Sequence, residues 1–165
     1  NDINLIVFFD VGGSMDPFVK LCEELFSAAK SEFKNLEYYY FHNCIYESVW
    51  KDNFRRNENR IPTQSIINKF THNHKVIIIG DASMAPYELT NSGGSIEHWN
   101  KESGEFWLNK IKSYFYKTVW LNPVHSDHWN YTSTIKMISG LMDNKMYPLT
   151  ISGISNAVGH LSRRH

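Results

Sequence analysis

Residues 5–17 read LIVFFDVGGSMDP, and this stretch decides the fold. Leu5-Ile6-Val7-Phe8-Phe9 is apolar without a break and stops at Asp10. A strand with one wet face would alternate, whereas a continuous apolar run belongs to a strand covered on both faces. Val11-Gly12-Gly13-Ser14-Met15 reads as a tight loop, in which Gly12 and Gly13 let the backbone turn sharply. Asp16-Pro17 then opens a helix, with Asp as N-cap and Pro in the first turn. Phe18, Leu21, Cys22, Leu25, Phe26, Ala29 and Phe33 follow at helical spacing.

Outward from this unit the pattern repeats. Leu36 to Phe41 and Cys44 to Trp50 read as strands, and the short His42-Asn43 link predicts an antiparallel hairpin. The polar stretch 51–60 reads as a loop. Pro62-Thr63 starts a short helix through Ile66, Ile67 and Phe70. KVIIIG (75–80) is a second buried strand and leads into Asp81. Residues 82–104 form a long connection with Pro86, Gly93 and Gly94, a length that marks functional or disordered segments. A helix is expected over 105–116, a third buried strand over 118–121, a helix over 131–142, a fourth over 147–151 as a strand, and a closing helix over 152–161. Strands alternating with helices predict an α/β, Rossmann-like three-layer sandwich. Its sheet is expected to be mostly parallel and six-stranded, with one antiparallel edge strand and helices on both faces.

A chain of 165 residues suits one domain over 1–165. With 42% hydrophobic and 15% aromatic residues it is not a disordered chain. Lys plus Arg number 17 and Asp plus Glu number 17, so there is no basic excess to suggest nucleic acid or an anionic membrane as partner. No apolar run approaches the ~18 residues of a membrane span. Cys22 and Cys44 sit in apolar contexts and are expected to be buried free thiols, which favours a reducing, cytoplasmic setting. The chain begins at the edge of a core strand without an initiator Met, so a domain cut from a longer protein is expected.

Four oxygen-bearing residues fall where such a sheet gathers its ligands, at the carboxyl ends of strands. They are Asp10, Ser14, Thr63 and Asp81. Two carboxylates and two hydroxyls suit a hard octahedral cation such as Mg²⁺ or Mn²⁺. Two carboxylates in a dry crevice would repel each other, and a cation would relieve that. Taken singly, each of the four also reads as a helix cap or turn residue.

The order Asp10-x-Gly12-x-Ser14, then Thr63, then Asp81, resembles the metal-ion-dependent adhesion site of von Willebrand factor type A domains. More narrowly, DVGGSMDP (10–17), GDASMAPYEL (80–89), VWLNP (119–123) and MYPLT (146–150) resemble bacterial CoxE-like proteins of that family. The resemblance implies the family fold over nearly the whole chain, Mg²⁺ or Mn²⁺ on those four residues, and recognition of an acidic residue on a protein partner. It also implies adaptor work beside a MoxR-type AAA+ ATPase, in the closing domain of a longer chain. One departure stands out: Gly12 replaces the first serine of the family pattern. Water is expected to fill that position, at lower affinity for the ion.

Other readings are weaker. His125-Ser126-Asp127-His128 and His72-Asn73-His74 lack standard zinc spacing. No P-loop, dinucleotide-binding glycine motif or nucleophile elbow is present. A metal-free scaffold and a metal-assisted hydrolase remain the alternatives to a binding domain. Lys51, Arg55, Arg56 and Arg60 read as a solvated basic loop. Trp99, His125 and His128 are candidates for a partner-binding rim. In the long connection, which also carries Tyr87 and His98 and runs up to the helix of Trp107, Trp99 is expected to be buried and to pin the loop; exposed, it would serve as an anchor.

Overall fold

The computed structural model describes residues 3–28, 33–54, 56–96 and 99–163. Arg55, His98 and Ala29, singled out in the sequence, lie outside the described residues. The chain runs β1 (Ile3–Asp10), α1 (Asp16–Ala28), β2 (Phe33–Phe41), β3 (Ser48–Trp50), β4 (Arg60–Pro62), α2 (Thr63–Lys69), β5 (Lys75–Ile79), α3 (Pro86–Thr90), α4 (Gly104–Tyr114), β6 (Lys117–Asn122), α5 (Ser133–Leu141), β7 (Met146–Pro148) and α6 (Ile151–Ser162). The strands form one sheet in the order β4-β3-β2-β1-β5-β6-β7. Every pairing from β2 through β7 by way of β1 is parallel. β3 is antiparallel to both its neighbours, so it alone runs the other way.

The α/β sandwich is as expected, with two corrections at one edge. The sheet has seven strands rather than six, and the reversed strand is second from the edge. Residues 44–47 do not extend β3. A single bridge between His42 and Cys44 turns the chain instead, with Asn43 in the left-handed region at φ 60°. The added strand, β4, ends at Pro62, where a residue without an N–H does no harm on an outer edge. Two further boundaries moved. Phe33 opens β2 rather than closing α1, and β7 stops at Pro148 because Thr150 caps α6, its side chain accepting from the Gly153 N–H at 3.0 Å.

The central strands sort their side chains with a period of two. Ile6, Phe8, Val76, Ile78 and Trp120 face α2, α3, α4 and α5, where Ile66, Leu89, Leu108, Ile111 and Ile138 complete one core. Leu5, Val7, Phe9, Ile77, Ile79, Val119 and Leu121 face α1 and α6, against Cys22, Phe26, Ile154, Ala157 and Leu161. Two covered faces explain the unbroken apolar runs. Both cysteines are buried and unbridged, and burial pushes each thiol up to about 12. Neither is a nucleophile at neutral pH. Among the described residues, no helix is long and apolar enough to cross a membrane.

Candidate functional site: a crevice at the carboxyl edge

β1 has β2 on one side and β5 on the other, so the strand order reverses between β1 and β5. Crevices at such reversals, beyond the carboxyl ends of the strands, are where open α/β sheets take their ligands. Asp10 is the last residue of β1, and Gly80-Asp81 follow β5. The backbone thus delivers both carboxyl groups to the same place.

Asp10 is fully buried. Its Oδ1 accepts from the backbone N–H of Gly12 at 2.8 Å and of Asn43 at 3.0 Å. Its Oδ2 has no hydrogen-bond partner among the described residues. Burial pushes the Asp10 carboxyl up to about 7; the two backbone N–H groups pull against this, and the negative charges of Asp81 and Glu88 add to it. A side chain at position 80 would crowd the same oxygen. A Cβ there would lie 3.0 Å from Asp10 Cβ and 3.1 Å from Oδ2, so a side chain would make Asp10 give way by a few tenths of an ångström.

Asp81 is nearly buried. Its Oδ2 accepts from the Ser14 hydroxyl at 2.6 Å, and its Oδ1 from the Ser83 N–H at 3.0 Å. The Asn122 side chain donates to the Asp81 carbonyl, and the Trp120 indole donates to the Gly80 carbonyl, fixing the strand end. Ala82, next in line, is buried with φ at 56°. A non-glycine residue held there stores strain, which marks the turn as over-determined by its surroundings.

A third acid completes the cluster. Glu88, buried on α3, accepts from the Asn43 side-chain amide at 2.9 Å and from the Ala85 N–H at 2.9 Å. None of the hydrogen bonds described for these three carboxylates comes from a lysine or arginine. Neither Asn43 nor Glu88 was read as a site residue from the sequence. Asn43 was legible only as a turn residue able to adopt left-handed backbone. Glu88 sits at the third helical position, where a capping-box acid belongs, but Ala85 in place of Ser or Thr hides the motif.

Of the four residues expected to meet, Ser14 and Asp81 touch, and Asp10 lies close enough to Asp81 to feel its charge. Thr63 is fully buried, and its hydroxyl donates to the Tyr46 carbonyl at 2.6 Å. The route from Thr63 to the acids runs through Tyr46, whose hydroxyl donates to the Glu88 carbonyl. The Gly12 position is also accounted for. A Cβ at residue 12 would meet Asn43 Oδ1 at 2.8 Å and Asp10 Oδ1 at 3.1 Å. A side chain at residue 12 would therefore run into the Asn43 amide oxygen. Gly13, beside it, faces open space.

The donor set is hard oxygen throughout and includes a buried carboxylate oxygen with no hydrogen-bond partner among the described residues, which fits Mg²⁺ or Mn²⁺. Among the described residues, no group of three or more His, Cys, Asp or Glu side chains is placed to hold a metal ion. An ion here would therefore rest on Asp10, Asp81 and the Ser14 hydroxyl, with water for the remainder.

The rim residues are exposed. His125 and His128 follow β6 with ring centroids 6.1 Å apart, and Tyr131, 84% exposed, stands 6.3 Å from His128. Trp99 corrects the expectation of burial: it is 78% exposed. It still pins its loop, because the ring lies across Gly93, where a Cβ would come within 2.2 Å of it. His72 bonds the Tyr114 carbonyl at 2.7 Å and His74 lies 3.2 Å from the Thr71 hydroxyl, which are local structural roles. Lys51 pairs with Glu37 at 3.0 Å, and Arg56 and Arg60 lie over the Phe54 and Trp50 rings, so this basic segment is engaged locally.

No protein-family model, curated protein or solved structure matches this chain.

Proposed function

We propose that this is a binding domain whose carboxyl-edge crevice takes Mg²⁺ or Mn²⁺ and offers it to an acidic side chain of a partner protein. The observation that carries this reading is Asp10 Oδ2, buried without a partner beside two further acids. A divalent cation would satisfy that oxygen and offset the repulsion among the carboxylates. Asp10 and Asp81 are the ligands in this reading. Ser14, exposed and bonded to Asp81, stands at the solvent side. Thr63 is a positioning residue that acts through Tyr46. The bound ion supplies an electrophilic contact with a position open to a carboxylate, and His125, His128 and Trp99 lie exposed for a partner surface to meet.

The von Willebrand factor type A resemblance rests on the same residues and names the partners to screen first, MoxR-type AAA+ ATPases. Two buried free thiols accord with a reducing compartment such as the bacterial cytoplasm.

A second reading is favoured by one observation. With its carboxyl pushed up to about 7, Asp10 can hold a proton in place of a metal, and the domain is then a metal-free scaffold. Melting curves in millimolar Mg²⁺, Mn²⁺ or EDTA separate the two, with Asp10→Asn as control. A ligand at about 100 times its Kd adds roughly 2.7 kcal/mol, a shift of about 5 °C or more for a domain of this size. The metal reading expects that shift in the wild-type chain and its loss in the control. Identical melting in all three solutions overturns it in favour of the scaffold.

A further inference from the structure

The opposite edge of the sheet holds a cavity of about 380 Å³ that the crevice reading does not use. It opens where β5, β6 and β7 begin and where α4 and α6 end. Lys75, Lys112, Lys117, Lys145 and Arg163 line it, together with His160. The four lysines and His160 are each half-buried rather than extended into water. One carboxylate, Asp143, lines the same cavity, 3.6 Å from Lys112.

Helix ends account for part of this. Lys112 in the last turn of α4, and His160 and Arg163 at the end of α6, complement the negative ends of their helix dipoles. The remaining lysines stand at or just before strand starts. Lys75 and Lys117 are direct partners across the β5–β6 ladder, an arrangement of like charges that destabilises a sheet. Lys145 leads into β7 beside them. The Lys117 ammonium is held below its ordinary value by burial and then by Lys75, Arg163 and Lys145. His160 is held down by burial and then by Lys117, Lys145 and Arg163. In a chain with no net charge, this gathering is local and concave, and among the described residues that line it Asp143 is the one carboxylate.

We propose that this cavity binds a phosphoryl oxyanion carrying two or more negative charges. Lysines suit it as point charges around a phosphate, and the half-buried setting strengthens each contact relative to open water. Tyr116, which also lines the cavity, stacks on His72 with ring planes 4° apart and offers a flat wall to whatever bears the phosphate. The site lies at the far edge from Asp10 and Asp81 and is independent of any metal there.

The test is thermal melting and calorimetric titration of the whole chain with pyrophosphate at low ionic strength. Sodium chloride of matched ionic strength is the control, and Lys117→Met/Lys145→Met is the variant. Pyrophosphate is expected to raise the melting temperature by several degrees, orthophosphate by less, and the variant to bind at least tenfold more weakly. Cooperative melting of the variant without ligand shows that it is folded. Lys145→Gln alone, read by the same titration, covers a double variant that fails to fold. A second arm uses phosphatidylcholine vesicles with and without phosphatidic acid. Capture by phosphatidic acid that pyrophosphate reverses assigns the group to a lipid head, and its absence beside a pyrophosphate shift assigns it to a soluble phosphorylated molecule. No pyrophosphate shift, a shift matched by sodium chloride, or an undiminished shift in the variants overturns the proposal.

Discussion

The two edges of this sheet handle charge in opposite ways. At the carboxyl edge three acids are withdrawn from water, and backbone N–H groups, a serine and an asparagine hold them in place. At the amino edge four lysines stand half in water around an open cavity. Burial dominates the first arrangement, so each carboxylate depends on specific neighbours and glycine-tight approaches. The second is only half withdrawn from water, so the lysines tolerate one another at a modest cost. A parallel sheet makes the separation natural, because all its central strands begin on one side and end on the other.

The contrast is sharpest at Asp10, where the largest effect is expected. In EDTA, the folded chain keeps a proton on Asp10 that the unfolded chain loses between its ordinary 3.8 and about 7. Stability therefore falls as pH rises through that window and levels off above it, by at most ~4 kcal/mol from this group. Asp10→Asn keeps an acceptor for Gly12 and Asn43 and carries no charge. Denaturant melts should show it more stable than wild type at pH 8, with the gap closing toward pH 4. Equal pH slopes in the two proteins would remove Asp10 as the strained group.

Gly12→Ser comes next. It adds a hydroxyl beside Asp10 yet drives a Cβ against Asn43 Oδ1, so a loss of about 1–3 kcal/mol is expected. Adding Asn43→Gly, which suits φ at 60°, should recover part of the loss in a double-mutant cycle. A neutral Gly12→Ser would mean the asparagine does not fill that space. Thr63→Val preserves shape and strands the Tyr46 carbonyl, at about 1–3 kcal/mol. Its cation-induced melting shift should survive, and loss of the shift in a folded variant would make Thr63 a ligand after all. Ser14→Ala removes a bond at an exposed hydroxyl, about 0.5–1.5 kcal/mol, and should reduce the cation shift without abolishing it. Smallest of all, Lys75→Gln should stabilise by a few tenths of a kcal/mol through the ladder partner Lys117, an effect that high salt erases.

Much of this architecture could be read along the chain because the central strands obey local rules. LIVFFD and KVIIIGD are apolar throughout, so they had to lie between two layers, and the Asp that ends each run had to reach the carboxyl edge. The reversed strand and β4 were harder to place. Ser48–Trp50 and Arg60–Pro62 are three residues each, too short for a period to show. Trp99 escaped for a related reason: a tryptophan in a loop can cover a glycine and still face water, and only the fold decides which.

The sequence by itself determined the layers, the parallel core and the arrival of Asp10 and Asp81 at one edge, since these follow from hydrophobic period and chain direction. Tertiary structure alone decided which polar groups meet there. Asn43 and Glu88, 45 residues apart, close over Asp10, while Thr63 turns to Tyr46 instead. The same holds at the other edge, where lysines opening separate strands become neighbours only once β5, β6 and β7 lie side by side. Hydrogen bonds and charges act over a few ångströms in space, and spacing along the chain carries no measure of that distance.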